Sequence, residues 1–305
     1  MQTVGRFAPS PSGRMHLGNV LCALLAWLSA RHQNGAFLLR IEDLDAMRCP
    51  RSYADLIMDD LRWLGLDWDG EVPYQSERAP IYEKYEQILR EKGLLYPCFC
   101  SRAALHAASA PHLSDGRVLY AGTCRELTPA EIEEKRKKRA PATRVRVPDE
   151  IISFTDGVFG AYSENLAEEC GDFIIRRSDG VFAYQLAVTV DDGLSGVTEV
   201  VRGSDLISST PRQIWLYRLF GFEPPHFVHI PLLCDVDGRR LSKRDEDLDL
   251  GLLRERFAPE QVIGALAFAA HLTDRAEPVS VRELVQDFDW SRIPRHELCL
   301  PPMFR

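Results

Sequence analysis

The chain has 305 residues, of which 45% are hydrophobic and 27% charged, so it can bury a sizeable core and has the composition of a globular protein. No apolar run approaches the roughly 20 residues of a membrane-spanning helix, and no export signal opens the chain, so we expect a cytoplasmic protein with no membrane partner. The net charge of −8 argues against an indiscriminate nucleic-acid binder, and the eight cysteines favour free thiols or metal ligands over disulfides.

The first predicted elements are a strand over residues 1–7, a loop rich in proline and glycine, and a helix over residues 20–32. A helix that opens behind such a loop offers unpaired N–H groups and the positive end of its dipole to a phosphate. His16 and Asn19 stand at this opening, and Gly18 lets a nucleotide approach the backbone. The pattern predicts a nucleotide site, with an ordinary loop as the alternative.

A second buried strand is predicted over residues 35–45, and it ends in acidic side chains. Ligands of open α/β sheets bind beyond the carboxyl ends of the strands, so we expect Glu42 to face the same crevice as Arg6. Helical periodicity follows over residues 51–64 and 79–93, and we interpret both helices as facing the core.

Three cysteines follow within a short stretch, at Cys98, Cys100 and Cys124. Zinc takes four N, S or O ligands in a tetrahedron, and two thiolates separated by one residue supply half of that set. The candidates for the fourth ligand are Tyr120, His106, His112 and water. The spacing predicts one zinc ion per chain, with three unrelated buried thiols as the alternative.

The next part of the chain is predicted to be rich in strands. An exposed helix over residues 128–139 has a basic end that could reach RNA phosphates, although such charge runs usually form a solvated face. Residues 143–190 alternate short apolar strands with glycine turns, which indicates a β-rich insertion. We expect the chain to return to the main sheet through a strand over residues 182–192, and a strand over 198–203 then leads to a helix around 209–220.

Tyr184 and Arg202 fall near the ends of these last strands, where they can approach Arg6. Arginine forks bind carboxylates through two hydrogen bonds, and a tyrosine hydroxyl adds a neutral donor. Glu42 would take an ammonium group. Together the four side chains predict a pocket for an amino acid with an acidic side chain, while a surface ion pair explains either arginine taken singly.

The last chemical stretch covers residues 235–244, a turn followed by a basic loop that contains Lys243. A lysine ammonium on a flexible stem can follow charge onto a departing pyrophosphate, which is the electrostatic help that phosphoryl chemistry needs.

These stretches resemble the class I aminoacyl-tRNA synthetases of the glutamyl type. Residues 9–19 match the HIGH-type motif, and Arg-Leu-Ser-Lys-Arg at 240–244 matches the KMSKS-type motif with its second lysine kept. Further matches between Val181 and Gln213 extend the similarity to about residues 4–250. The short remainder and the three-cysteine insertion resemble the glutamyl-queuosine tRNA-Asp synthetases, a group of truncated paralogues.

The resemblance implies an α/β fold, a Rossmann-like doubly wound parallel sheet with a zinc-containing insertion and a small C-terminal helical subdomain. The two catalytic halves would cover residues 1–95 and 181–245, the insertion 96–180 and the helical subdomain 246–305, with no anticodon-binding domain.

The resemblance also implies roles for individual residues. Glutamate would contact Arg6, Phe7, Ala8, Pro9, Ser10, Glu42, Tyr184 and Arg202. ATP would contact His16, Gly18, Asn19, Ser242 and Lys243, of which His16, Asn19 and Lys243 are the catalytic candidates. Zinc, in a structural role, would be held by Cys98, Cys100, Cys124 and, by analogy alone, Tyr120.

The implied activity is activation of L-glutamate by ATP and Mg²⁺ to glutamyl-adenylate, followed by transfer to the queuosine base of tRNA-Asp, by a chain that we expect to be a monomer. The alternatives are a discriminating glutamyl-tRNA synthetase, a His-x-Gly nucleotidyltransferase acting on a small molecule, and a non-catalytic RNA-binding paralogue.

Overall fold

Parallel strands with helices packed on both faces form the centre of the protein, whose computed structural model describes residues 2–101, 119–235 and 249–304. The strands are β1 (Val4–Phe7), β2 (Ala36–Leu39), β3 (Leu95–Cys98), β4 (Ala142–Val145), β5 (Ile151–Asp156), β6 (Gly160–Asn165), β7 (Phe173–Arg176), β8 (Glu199–Gly203), β9 (His226–Ile230), β10 (Leu233–Cys234) and β11 (Leu298–Cys299). The helices are α1 (Leu17–His32), α2 (Arg51–Trp63), α3 (Ala79–Glu91), α4 (Pro129–Arg136), α5 (Tyr184–Leu194), α6 (Thr210–Phe220), α7 (Leu250–Arg256), α8 (Pro259–Ala269) and α9 (Val281–Leu284).

The central strands pair in parallel, β1 with β2 and β8 with β9. A backbone hydrogen bond from Thr198 N to Val4 O, 2.9 Å long, places β8 beside β1 as well. Parallel strands that lie side by side end at the same edge, so the residues that follow β1, β2, β8 and β9 come together there.

Alternate side chains of these strands enter two different apolar clusters. Leu39 of β2 and Val201 of β8 belong to a cluster built around α1 and the C-terminal helices. Their neighbours Leu38 and Val200 face a second cluster formed by α3, α5 and α6. Because successive strand residues point to opposite faces, the sheet is covered on both sides, as is usual for parallel sheets.

Most of the predicted elements are confirmed within a few residues of their expected ends, with two differences at the N-terminal site. Helix α1 begins at Leu17 instead of residue 20, because a side-chain cap from His16 extends it toward the loop. Strand β2 stops at Leu39, well before the expected end at residue 45. Beyond β2, Arg40 N donates to Phe7 O and Glu42 N donates to Pro9 O, each at 3.0 Å, and Ile41 forms an isolated parallel bridge with Tyr74.

The predicted strand over residues 182–192 was wrong, because this segment forms helix α5. All residues from Leu186 to Asp192 are buried. A helix that is buried on every side lacks the one-sided apolar stripe of a surface helix, so its continuous apolar run is hard to distinguish from a buried strand.

The β-rich segment consists of two antiparallel units, a sheet in the order β3–β4–β7 and a hairpin of β5 and β6. At the turn of this hairpin Gly157 N donates a 3.0 Å hydrogen bond to Phe227 O, so the hairpin contacts β9. Strands β10 and β11 pair in parallel and connect the C-terminal end of the chain to the region after β9. No helix of the described ranges is long and apolar enough to cross a membrane.

Candidate active site

A cavity of about 520 Å³ opens at the edge where β1, β8 and β9 end and α1 begins. It contains every residue predicted for glutamate or ATP that the structure describes. These lining residues are Arg6, Phe7, Ala8, Pro9, Ser10, His16, Gly18, Asn19, Glu42, Tyr184 and Arg202. The remaining two candidates, Ser242 and Lys243, lie outside the described residues.

Arg202 is buried in the wall of this cavity, and its hydrogen bonds go to neutral groups. Its Nη1 donates to Gln213 Oε1 at 2.8 Å and to the Tyr184 hydroxyl at 3.4 Å. Its Nη2 donates to Thr210 Oγ1 at 2.7 Å, and its Nε to His229 Nε2 at 3.0 Å. None of its acceptors in the described part of the chain is a carboxylate. The guanidinium is therefore fixed while its charge has no direct ion pair, which suits an anionic ligand.

His229 lies opposite Arg202 on the neighbouring parallel strand and is hydrogen-bonded on its other side to Asp156. His229 Nδ1 is 2.6 Å from Asp156 Oδ2, and both side chains are fully buried. Because Nε2 accepts from Arg202, the hydrogen-bond pattern assigns the proton of a neutral ring to Nδ1. Burial lowers the pKa of His229 and outweighs the raising effect of Asp156. The pattern and the direction of this shift both indicate a neutral imidazole.

Arg6 and Glu42 lie in a network of buried charges around Arg40. Arg40 Nη1 is 2.6 Å from Asp192 Oδ1, and its Nη2 is 3.1 Å from Glu42 Oε1. Arg6 Nη1 donates to Val201 O at 3.0 Å, and Arg6 Nε lies 3.5 Å from Asp192 Oδ1. Burial raises the pKa of Glu42 despite the nearby arginines, whereas Arg40 and Arg6 overcome burial and lower the pKa of Asp192. Asp192 is therefore a paired structural anion, and Glu42 is a poorly compensated one.

His16 caps the N-terminus of α1 and is oriented by its own helix. Its Nδ1 accepts a hydrogen bond from Gly18 N at 3.1 Å, and Asn19 Oδ1 accepts one from His16 N at 3.3 Å. An accepting Nδ1 places the proton of the neutral ring on Nε2. A Cβ atom at Gly18 would lie 3.0 Å from the His16 ring, so glycine leaves the space that the ring occupies. The cap thus assigns the proton of the neutral imidazole to Nε2.

The chain that follows residue 248 is anchored to the loop that precedes His16. Leu250 N donates to Met15 O at 3.0 Å. Asp60, which is fully buried, accepts from Arg14 at 2.8 Å and from Arg254 at 2.7 Å. These contacts place helix α7 next to the HIGH-type loop, whereas residues 240–244 of the KMSKS-type match lie outside the described residues.

The three predicted cysteine ligands converge, with all Sγ atoms of Cys98, Cys100 and Cys124 within 4.8 Å of one another. The Cys100 and Cys124 sulfurs are 3.7 Å apart, and Cys98 Sγ is 3.6 Å from the Tyr120 hydroxyl. Zn–S bonds of about 2.3 Å in a tetrahedron place sulfurs about 3.8 Å apart, so these separations fit a zinc ion. His106 and His112 lie outside the described residues, and among the predicted protein donors the described part contains only Tyr120 as a fourth.

The electrostatics of this cluster favour a thiolate at one position. Burial opposes ionisation of Cys98, but hydrogen bonds from Arg144 and from the Cys100 backbone outweigh it and lower the pKa of Cys98. Burial raises the pKa of Cys100 to about 11, with further contributions from the neighbouring sulfurs. The Tyr120 hydroxyl also accepts a 2.8 Å hydrogen bond from Cys124 N, which orients it toward the cluster.

Four residues of the site were missed by the sequence analysis, namely Arg40, Asp156, Asp192 and His229. Asp192 lies within the matched range from Val181 to Gln213, but the resemblance gave it no role. Asp156 and His229 are 73 residues apart, and no local pattern connects them. The available sequence signal for His229 was a histidine between two apolar residues, Val228 and Ile230, of β9.

The family model described as tRNA synthetases class I (E and Q), catalytic domain, matches residues 2–294 of the chain. The glutamyl-Q tRNA(Asp) synthetase of Symbiobacterium thermophilum is 50% identical, over 97% of this chain and 95% of the relative. The protein of the same name from Nitratidesulfovibrio vulgaris is 47% identical, with the same two coverages of 97% and 95%.

A solved structure shows the same fold. The crystal structure of a glutamate tRNA ligase from Elizabethkingia meningosepticum, in complex with its amino acid, matches with a TM-score of 0.84 and 28% identity. The match covers 100% of this chain and 68% of that one. The chain therefore belongs to the class I tRNA synthetase family for E and Q, within the group of relatives named glutamyl-Q tRNA(Asp) synthetases, and is a ligase of this type.

Proposed function

We propose that this ligase activates L-glutamate with ATP to glutamyl-adenylate and transfers the glutamyl group to the queuosine base of tRNA-Asp. The observation that carries the choice of glutamate is Arg202, a fixed guanidinium that has no direct ion pair among the described residues and shares its cavity with Glu42. A cation and an anion in one cavity match an amino acid that has an acidic side chain.

In this proposal the side-chain carboxylate of glutamate binds Arg202 and Arg6, with the Tyr184 hydroxyl as a neutral donor. Glu42 binds the α-ammonium group, which would add positive charge beside a buried carboxylate that Arg40 compensates only in part. The backbone from Phe7 to Ser10 lines the same cavity and would contact the amino acid between these two ends.

ATP would bind at the N-terminus of α1, where the His16 Nε2–H can donate to a phosphate oxygen and Asn19 supports the cap. The α-carboxylate of glutamate attacks the α-phosphorus, a new P–O bond forms, and the bond to the β-phosphate oxygen breaks to release pyrophosphate. Ser242 and Lys243 would contact the triphosphate, a role that depends on the motif resemblance. Mg²⁺ bound with ATP supplies neutralising charge, and the protein contributes positioning and hydrogen bonds.

Zinc would be held by Cys98, Cys100, Cys124 and Tyr120, where it would connect the end of β3 to the residues that precede α4. A four-ligand set of this kind leaves no open position, so the metal would be structural. We also propose the division into two catalytic halves, an insertion and a C-terminal helical subdomain, as given by the resemblance.

The acceptor is supported by the names of the relatives, which specify tRNA(Asp). A hydroxyl of the queuosine ring would attack the carbonyl carbon of the adenylate, forming an ester and releasing AMP. A discriminating glutamyl-tRNA synthetase remains the second candidate, because the matching solved structure is a glutamate tRNA ligase.

The test is transfer of labelled glutamate by the purified protein to tRNA-Asp with queuosine, to tRNA-Asp without it, and to tRNA-Glu. Periodate treatment of a parallel sample destroys vicinal diols before the assay. We expect label only on the untreated queuosine-containing tRNA-Asp. Label on tRNA-Glu would support the ordinary synthetase, and ATP-pyrophosphate exchange without any labelled tRNA would overturn the transfer step alone.

A further inference from the structure

Arg40 and Arg202, two arginines of the site, differ in the groups that accept hydrogen bonds from their guanidinium. Arg40 binds two carboxylates directly, those of Asp192 and Glu42. Arg202 instead meets an imidazole, and the carboxylate of Asp156 lies on the far side of that ring. A direct ion pair satisfies a guanidinium and also neutralises it, whereas a neutral acceptor fixes it and leaves the charge available.

We propose that the Asp156–His229 pair is a positioning device that fixes Arg202 for the side-chain carboxylate of glutamate and so sets the choice of glutamate over glutamine. The inference rests on the proposed function, since it assigns the ligand of Arg202. His229 and Asp156 act through Arg202 and do not touch the substrate themselves, which distinguishes them from catalytic residues.

The orientation of the imidazole depends on Asp156. Oδ2 of Asp156 accepts from both His229 N at 3.0 Å and His229 Nδ1 at 2.6 Å. Oδ1 accepts from Val158 N at 3.0 Å and Phe159 N at 2.9 Å. With the Nδ1 proton held in this way, Nε2 carries a lone pair toward Arg202, so the acceptor is present only in one tautomer.

The position of Asp156 depends in turn on the hairpin turn between β5 and β6. Gly157 N donates to Phe227 O at 3.0 Å, next to His229 on β9. A Cβ atom at Gly157 would lie 2.8 Å from Val228 Cγ2 and 3.1 Å from Cγ1. Only glycine allows the turn this close to β9, and the close approach brings the Asp156 carboxylate within reach of the ring.

Two variants of matched chemistry separate positioning from packing. In His229→Gln, the side-chain amide can present its oxygen near the position of Nε2, so it keeps an acceptor for Arg202. In His229→Asn, the shorter amide reaches the position of Nδ1 and keeps the Asp156 contact, but it leaves Arg202 Nε without an acceptor. Both replace a buried ring by a smaller polar group, so a purely structural role predicts similar effects for the two.

The readouts are glutamate-dependent ATP-pyrophosphate exchange, the KM values for glutamate and ATP, the glutamate-to-glutamine ratio of kcat/KM, and the urea midpoint. In His229→Asn the Nε–H of Arg202 is left buried without an acceptor, and we expect this to raise the KM for glutamate by roughly ten- to a hundredfold. In the same variant we expect the KM for ATP to stay at the wild-type value and the glutamate-to-glutamine ratio of kcat/KM to fall. His229→Gln should restore most of the KM for glutamate and most of that ratio.

Equal KM values for glutamate in His229→Asn and His229→Gln, or an unchanged preference over glutamine, would overturn the positioning role. If His229→Asn does not fold, Gly157→Ala provides the test instead. Its added Cβ should displace the hairpin turn and raise the KM for glutamate, while the side chains of Asp156, His229 and Arg202 stay unchanged. Absence of glutamate-dependent exchange in the wild-type protein would overturn the proposed function itself, an outcome that no variant is needed to detect.

Discussion

Replacing Arg40 by methionine tests the buried charge network that supports the site. Arg40 is almost fully buried, with 4% of its side chain exposed, and it bridges Asp192 and Glu42 at 2.6 and 3.1 Å. It also lies 3.7 Å from Asp191 Oδ2. Methionine is unbranched and replaces the apolar stem of Arg40 without its charge or donors, so the substitution removes the ion pairs and keeps the packing of the stem.

The expected loss of stability in Arg40→Met depends on the hydrogen-bond and ion-pair partners that each carboxylate keeps. Asp191 keeps hydrogen bonds from Gln75, Arg78 and Tyr82, between 2.7 and 2.8 Å long. Asp192 keeps Arg6 at 3.5 Å, while Glu42 loses its one ion-pair partner among the described residues. Removing one partner of a buried pair costs about 3–5 kcal/mol, and the remaining partners of the two aspartates put this case near the lower end, at about 3 kcal/mol.

A matched control is Arg51→Met, because Arg51 pairs with Glu77 in a setting where the two side chains are 62% and 61% exposed. An exposed pair contributes about 1 kcal/mol or less. Urea unfolding followed by tryptophan fluorescence measures both variants, since the chain contains five tryptophans.

The loss of unfolding free energy in Arg40→Met should depend on pH, and the pKa shifts fix the direction of this dependence. In the wild type Arg40 and Arg6 hold the pKa of Asp192 below its usual value, so its ionised form stabilises the fold above the unfolded pKa. Without Arg40 the pKa values of Asp192 and Glu42 rise, and the folded variant binds protons more tightly than the unfolded chain. Its stability then falls as pH rises, so the deficit against the wild type is larger at about pH 8 than at about pH 5. Equal losses for the two variants, or a deficit that grows toward acid, would refute this reasoning.

Three further predictions concern the candidate ligands of the site. Cys100→Ser should reduce the zinc content from about one ion per chain, measured by elemental analysis, and full retention would contradict the ligand assignment. Glu42→Gln should raise the urea midpoint near neutral pH, because burial raises the pKa of Glu42 and its ionised form therefore destabilises the apoprotein. The same variant should raise the KM for glutamate by about thirtyfold or more through loss of the ammonium contact, and an unchanged KM would remove Glu42 from the pocket. Lys243→Ala, outside the described residues, should slow ATP-pyrophosphate exchange about a hundredfold at an unchanged urea midpoint, and wild-type exchange would exclude its role at the triphosphate.

The parts of the site that could be predicted from sequence are those that depend on local chain geometry. Arg6, Glu42 and Arg202 were placed together because residues at the carboxyl ends of parallel strands meet at one edge. His16 was placed at a helix opening from the loop that precedes it. Its capping role was not predicted, since histidine is not among the preferred N-cap residues, and this is why α1 starts earlier than expected.

The parts that could not be predicted depend on contacts between distant segments. Helix α5 was assigned as a strand because its burial on all sides removed the periodic signal that separates the two structures. Asp156 comes to His229 only because a hairpin turn without a side chain docks on β9, and neither residue belongs to a recognisable local pattern. Two buried arginines look alike in sequence, yet Arg40 ends among acids and Arg202 among neutral acceptors.

The hairpin of β5 and β6 has a consequence for how this chain can be rebuilt. It lies within the segment that the sequence marks as an insertion, and such segments are the usual targets for deletion or exchange between relatives. Here Asp156, at the end of β5, is hydrogen-bonded to His229 of β9, and His229 in turn accepts a hydrogen bond from Arg202 in the cavity wall. A shortened or chimeric protein would therefore need to carry the hairpin and β9 from the same parent, and the two segments are expected to change together when the amino-acid specificity is redesigned.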